Sequence, residues 1–375
     1  MGRPSCTCQI AVPAFRFIAT AVLILAACPS PEVRGQDTAI VARTGTAALE
    51  EHRFGEALAA FTEAAAIEPD RANLSFGAGV AAFMLGQNDT ARRRFEHVLA
   101  LDPGYLPAAV WLGDLHYRAG RLEQAISICE AALRYASDDR DLRDRLVRWR
   151  KEQALQSRFH EVRAAHFIVL FEDRGDEPRA RQFLERLDAA YSRIGSILGV
   201  YPTEPMSVLI YSRQQFDDIT GLAAWSIAGY DGRIRVPRSL VLEQREEIDR
   251  VLSHEFVHAV VEMVGGRAVP AWMNEGLATA LEPSPGEAAD RTTRTTRRAN
   301  LSRLHRSFTD LPKRDAEVAY ASAADAVRRL IDQRGAPAIV ALLEDLRRGE
   351  AFASAFEQRI AMRYQEFAAK RLRMD

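Results

Sequence analysis

The chain has 375 residues, with 50 Lys plus Arg against 51 Asp plus Glu, a formal charge of −1 and 47% hydrophobic residues. At roughly 150 residues per domain, this is two or three domains of ordinary globular composition, which excludes a disordered tail. The balanced charge gives no global electrostatic grip on nucleic acid, so no nucleic-acid partner is expected.

Cysteine usage is sparse. Cys6, Cys8 and Cys28 lie near the N-terminus, and Cys129 is the one thiol well inside the body, so no disulfide framework is expected. Arg3 and Arg16 stand in a leader without acids, and Phe17 to Ala27 is apolar or small with Thr20 its one hydroxyl. Such a run is a secretory signal over residues 1–27, too short to span a bilayer comfortably. Leu25-Ala26-Ala27-Cys28 resembles a bacterial lipobox with Cys28 as the lipidated residue. The alternative exit is ordinary cleavage after Gly35, before Gln36. The expected location is the bacterial periplasm or the outer membrane as a lipoprotein, or else secretion, with the membrane reached only through a lipid on Cys28.

The next segment repeats. Pro69 and Pro103 are thirty-four residues apart, and Gly45, Gly79 and Gly113, then Ala57, Ala91 and Ala125, then Phe61, Phe95 and Cys129 recur at the same spacing. This is the tetratricopeptide pattern. Small residues stand where the paired helices cross closely, and the large residue eight before Pro fills the gap to the next unit. Gly86 and Gly120 end first helices, where a left-handed residue costs little. Three repeats are read over about residues 38 to 139, and Asp141 to about His160 is a charged amphipathic helix closing the stack, so this domain covers 38–160. Cys129 takes a packing position.

Beyond it the period changes. His166 to Phe171 and Met206 to Tyr211 are short β-rich runs, with helical spacing from Pro178 to Leu198 between them. Gly229-Tyr230-Asp231-Gly232 is a turn, and Arg233 to Val236, before Pro237, alternates polar and apolar like an edge strand. From about Glu243 onward the chain reads as helices broken at Gly265-Gly266, Pro283 to Gly286, Pro312 and Gly335.

His254-Glu255-Phe256-Val257-His258 is an HExxH motif in a helix apolar on nearly every side, where buried ionisable groups need partners. Residues four apart share one helix face, so both imidazoles can reach a tetrahedral Zn²⁺ at about 2.0 to 2.1 Å. Glu255, one step round, reaches a water at the metal rather than the metal. A metzincin needs Gly at 261 and His at 264; both positions are Val, so a third ligand must come from elsewhere. Seventeen residues past His258, Glu275 lies early in a second helix, after a Gly265-Gly266 break that lets the chain turn back.

Here the sequence resembles the gluzincins, and Trp272-Met273-Asn274-Glu275-Gly276-Leu277-Ala278 resembles the third-ligand segment of the aminopeptidase N group. The spacing is shorter than in those relatives, and their Gly-Ala-Met-Glu-Asn strand is absent. The closer likeness, over about residues 160 to 375, is to bacterial peptidase-MA-like proteins, in which tetratricopeptide repeats often accompany a compact gluzincin domain. The resemblance implies Glu275 as third zinc ligand. It also implies an oxyanion donor from a helix downstream, for which Tyr320 is the candidate and Tyr230 the reserve.

Carboxylates beside the imidazoles would fix their tautomers. Glu262 lies on the face of both His and Glu282 two turns after Glu275, although a solvated surface acid is the plainer reading of each. Arg291, Arg294, Arg297, Arg298, Arg303 and Arg306 read as a solvated linker and helix, with an acidic partner or membrane phosphate as the functional alternative. His52, His97, His116, His160, His166 and His305 show no ligand spacing.

The expected fold is mostly α, of α+β type: a tetratricopeptide α-superhelix, then, over 161–375, a zincin-like domain with a small sheet and a helical half. The expected function is an exported zinc metallopeptidase. One Zn²⁺ sits on His254, His258 and Glu275, Glu255 is general base, and an extended substrate pairs with the strand around Arg233 to Val236. The repeats would present a concave surface to a peptide or protein partner. The alternative is a catalytically silent scaffold acting through those repeats.

Overall fold

The computed structural model describes residues 33–136, 138–221, 228–283, 299–301, 304, 308 and 311–370. The leader with Cys6, Cys8 and Cys28, the arginines from Arg291 to Arg306, and His305 lie outside the described residues. No helix among the described residues is long and apolar enough to cross a membrane.

The first half is a stack of helix pairs: α1 (Val33–Glu50) with α2 (Phe54–Ile67), α3 (Ala72–Met84) with α4 (Asn88–Leu101), and α5 (Leu106–Arg118) with α6 (Leu122–Leu133). The recurring glycines explain the pairing. A Cβ on Gly45 would come within 2.9 Å of the Phe61 ring, one on Gly79 within 2.6 Å of Phe95, and one on Gly113 within 2.8 Å of Cys129 Sγ. Each first helix therefore offers bare backbone to a side chain of its own second helix: the Phe61 and Phe95 rings, eight before Pro69 and Pro103, and the Cys129 thiol. Cys129 is fully buried there, and burial pushes its thiol up to about 12. Gly86 and Gly120 take φ of 70° and 74°, the left-handed turn that ends the first helices of the second and third pairs.

Helix α7 (Arg140–Gln156) follows, opened by the Asp139 carboxylate accepting from the Leu142 amide at 2.7 Å. It ends earlier than the charge pattern suggests. His160 instead starts strand β1 (His160–Arg163), antiparallel to β2 (Phe167–Phe171) in the register His160 with Phe171. Only Val162 of β1 is buried, so one inward residue in four left no alternation strong enough to read.

Helix α8 (Glu177–Leu198) leads to β3 (Met206–Tyr211) and the short α9 (Arg213–Thr220), which a Ser212–Gln215 capping box starts. Strands β4 (Gly229–Tyr230) and β5 (Ile234–Pro237) complete a sheet in the order β1-β2-β3-β5-β4, with β2, β3 and β5 parallel and the two edges antiparallel. Alternation along β3 sends Val208 and Ile210 into the main core beside α8, while Leu209 and Tyr211 join Leu155 of α7, Phe216 and Ile219 on the other face. Helix α7 thus bridges the two halves, packing Leu142, Leu146 and Trp149 on the repeats and Leu155 on the sheet.

The expectation that Arg233 to Val236 forms an edge strand is wrong. β5 is flanked by β3 and β4, and all four of its residues are buried. Its polar alternation faces a buried carboxylate instead of water: Arg235, fully buried, donates to Glu152 of α7 at 2.6 Å, Asp231 at 2.9 Å and the Tyr211 hydroxyl at 2.9 Å. A charged residue in a strand reads as solvent-facing unless its distant partner is known.

The helical half comprises α10 (Arg245–Gly265), α11 (Ala271–Ala280), α12 (Lys313–Arg334), α13 (Ala336–Arg348), α14 (Phe352–Ile360) and α15 (Tyr364–Lys370). Helix α10 lies between α8, which packs on the sheet, and α11 and α13. Among the described residues, the protein is mostly helical with a small mixed sheet.

Candidate metal centre

Helix α10 is buried from Val251 through Val261 without a break. Such a segment is stable only if its polar side chains find partners inside the protein. Gly265 and Gly266 end it and the chain reverses through Pro270 into α11, which packs against α10 and delivers Glu275. His254, His258 and Glu275 come together, with one ligand atom from each within 4.8 Å of the others.

The contacts are directional. Nε2 of His254 and Nε2 of His258 each lie 3.5 Å from the same Glu275 oxygen, Oε2, and none of these three buried atoms has a hydrogen-bond partner. Two ligands about 2.05 Å from a tetrahedral Zn²⁺ would stand roughly 3.4 Å apart. The spacing is too long for a good hydrogen bond and fits three donors arranged round a cation.

The far side of each ring is fixed. His254 Nδ1 is 2.8 Å from Glu282 Oε1, and His258 Nδ1 is 2.9 Å from Asn274 Oδ1. Both oxygens are acceptors, so each Nδ1 donates, and Nε2 of each neutral ring is left with its lone pair directed at Glu275. Arg250, one turn before His254, holds Glu282 at 3.2 Å and Glu247 at 2.8 Å. The residues therefore fit a zinc ion, with two imidazoles, one carboxylate and oriented outer partners.

Sequence reasoning placed Glu282 as a surface acid more readily than as a partner of His254. It lies just past the end of α11 rather than within it, and the chain there turns its side chain back onto α10. Glu262 is neither solvated nor bonded to an imidazole: it pairs with Arg118 and, at 2.7 Å, with Arg267. Asn274 and Arg250 were given no role from the sequence. Asn274 could have been found from its place next to Glu275, one residue from a proposed ligand.

Glu255 is fully buried, and neither carboxylate oxygen has a hydrogen-bond partner. Burial raises its pKa to about 8, with His254 opposing and Glu275 adding to the rise. Burial would lower His254, but the carboxylates of Glu275 and Glu282 outweigh it and raise that imidazole to about 9. Burial holds His258 below its ordinary value against the pull of Glu275. A divalent cation reverses this balance, since it takes the place of the imidazole proton and favours ionised carboxylates.

Tyr320 lies buried in α12, its ring edge-on to Phe308 at 5.1 Å, in a helix packed against α11. Tyr230, the reserve, is buried in β4, where burial first and Glu262 second push its phenol far up.

A family model described as tetratricopeptide repeat matches residues 48–96 and 82–147. A solved structure entitled "First TPR of Spaghetti (RPAP3) bound to HSP90 peptide SRMEEVD" is 19% identical over 32% of this chain and 97% of that one, with a TM-score of 0.30. Comparison with curated proteins finds no match. Residues 48–147 of this chain carry tetratricopeptide repeats.

Proposed function

We propose that this chain is an exported zinc-dependent metallopeptidase of the gluzincin type. The observation that supports it is the meeting of three unpaired, buried ligand atoms from α10 and α11, two of them on imidazoles whose opposite nitrogens are already bonded. Zinc in that position would supply Lewis acidity, lowering the pKa of a coordinated water and polarising a peptide carbonyl.

The chain's residues then have defined tasks. His254, His258 and Glu275 hold the cation, while Glu282 and Asn274 keep the rings aimed. Glu255 takes a proton from the attacking water and returns it to the leaving amine, a role consistent with its unpaired carboxylate. Tyr320 is the proposed oxyanion donor. An extended substrate has no access to β5; the edge beside the metal helix is β4, which packs on α10. Tetratricopeptide repeats also support a protein partner, and export rests on the leader sequence.

The test is hydrolysis of a mixed peptide library by metal-loaded wild type and by Glu255→Gln. Wild-type cleavage, lost by at least about a hundredfold in the variant, is expected. Equal cleavage by the two proteins sinks the assignment. A zinc-bound wild type that cleaves nothing favours the scaffold reading, for which the repeats are the supporting observation.

A further inference from the structure

The repeat stack meets the second half at each of its three intra-repeat turns. A Cβ on Gly349 would lie 2.6 Å from Gly55 Cα, one on Gly266 2.7 Å from the Leu85 carbonyl carbon, and one on Gly232 2.6 Å from the Arg118 oxygen. All three glycines have positive φ. The first-helix residues Phe83 and Tyr117, thirty-four apart, are covered by arginines of the second half: Arg267 stands 4.1 Å over Phe83, and Arg235 stands 5.2 Å over Tyr117. This edge of the stack is occupied by the chain itself.

The middle contact reaches the metal helix directly. Gly266 follows the last residue of α10, and Arg267 comes next. The Arg267 amide donates to the Met84 carbonyl at 2.7 Å, and its guanidinium donates to the Phe83 carbonyl at 2.9 Å and to Asn88 at 2.8 Å. These carbonyls belong to the open, partly negative C-terminal end of α3, where a cation is favoured. The same guanidinium binds Glu262 of α10 at 2.7 Å, and Arg118 from the end of α5 binds the other Glu262 oxygen. Burial would raise the Glu262 carboxyl, but Arg118 and Arg267 hold it below its ordinary value.

Glu262 is four residues beyond His258, one turn along the same face. Its two oxygens are thus gripped by one arginine from the repeats and one that is itself anchored on the repeats. A rigid helix transmits rotation and sliding across one turn, and a ligand site tolerates displacements of only about 0.5 Å.

We propose that Glu262 is a positioning residue, through which the repeat array sets the axial rotation of α10 and so the aim of the His258 imidazole. The array is then part of the metal centre's support, and what it holds along this face is the chain's own Gly266–Ala268 segment. The proposal rests on the reading of the triad as a metal site.

The test uses the full chain. Arg118→Met and Glu262→Gln are compared with wild type, and Phe95→Leu, in the repeat core, controls for lost stability alone. Affinity for Co²⁺ is measured by chelator competition, with the visible band of the bound ion recorded. Amide exchange across Val257–Gly265 is measured without added metal. Arg118→Met and Glu262→Gln are expected to weaken Co²⁺ binding about tenfold or more and to shift the band, while Phe95→Leu stays within about twofold of wild type. Unchanged Co²⁺ affinity in the folded interface variants, or an equal loss in Phe95→Leu, overturns the proposal.

If wild type binds no Co²⁺, the metal reading fails and exchange decides the coupling: faster exchange in the interface variants alone supports it, and unchanged exchange overturns it. Arg118→Lys replaces any variant that does not fold. It keeps the charge but not the reach of the Arg118 guanidinium to Glu262, and the same loss is expected at smaller size.

Discussion

Glu282 Oε1 lies 2.8 Å from His254 Nδ1, yet Glu282 stands beyond the end of α11 and is itself held by Arg250 of α10. The acid closes a loop between the two helices that carry the triad. It fixes both the ring of His254 and the approach of α11. Glu282→Ala should leave the His254 ring free to turn and take the proton on either nitrogen. Zinc affinity is expected to fall about 10- to 100-fold, measured by competition with a chromogenic chelator, with secondary structure unchanged. Wild-type affinity in this variant would mean that packing alone aims the ring.

A second expectation concerns the buried ion cluster between the stack and the sheet. Glu152 is fully buried and accepts from Arg235 at 2.6 Å, Arg233 at 3.1 Å, and the hydroxyls of Tyr117 at 2.7 Å and Tyr211 at 2.9 Å. Burial would raise its carboxyl, but Arg235 and Arg233 hold it below its ordinary value. A folded-state pKa below the unfolded one means stability that is full above the unfolded value, about 4.3, and is lost as pH falls through the folded value. Glu152→Gln leaves Arg233 without a carboxylate and Arg235 with Asp231 alone, and should cost about 3 to 5 kcal/mol near neutrality. Its urea midpoint should also change less than that of wild type between neutral and strongly acidic pH. A parallel pH dependence in the two proteins would exclude Glu152 as the source.

These two clusters mark where the sequence was legible and where it was not. The repeats were readable because their period writes each contact three times: Gly45 with Phe61, Gly79 with Phe95, Gly113 with Cys129. The pair His254 and His258 was readable because one helical turn fixes their relation; the Gly265-Gly266 break made Glu275 reachable, and the resemblance of Trp272 to Ala278 to the gluzincin third-ligand segment singled it out. What failed was the partner of each buried charge. Arg235 bonds a residue eighty-three positions away, and Arg118 one that is 144 away. No local period connects such residues, so Arg235 read as an edge-strand surface residue and Glu262 as a solvated acid.

The last expectation tests how tightly the stack is seated on the metal helix. Gly266 has φ 70° and ψ −159°, a conformation open essentially to glycine alone, and it faces the Leu85 backbone with no room for a side chain. Gly266→Ala meets both obstacles. The backbone term alone is about 1 to 3 kcal/mol, and the clash with Leu85 adds to it because neither main chain can step aside. Displacing the Gly266–Arg267 corner would also pull the Arg267 guanidinium from Phe83 and Glu262 and its amide from Met84 together. The variant should therefore lose more stability in urea unfolding than Gly199→Ala. Gly199 also has positive φ, 69°, but a Cβ there meets nothing within 4 Å. Gly199 lies in the left-handed helical region, ψ 21°, which alanine enters at lower cost than the Gly266 conformation, so the part of the difference beyond that extra backbone strain reports the docking. Equal losses would mean that the corner yields and that the stack is held by its other two turns.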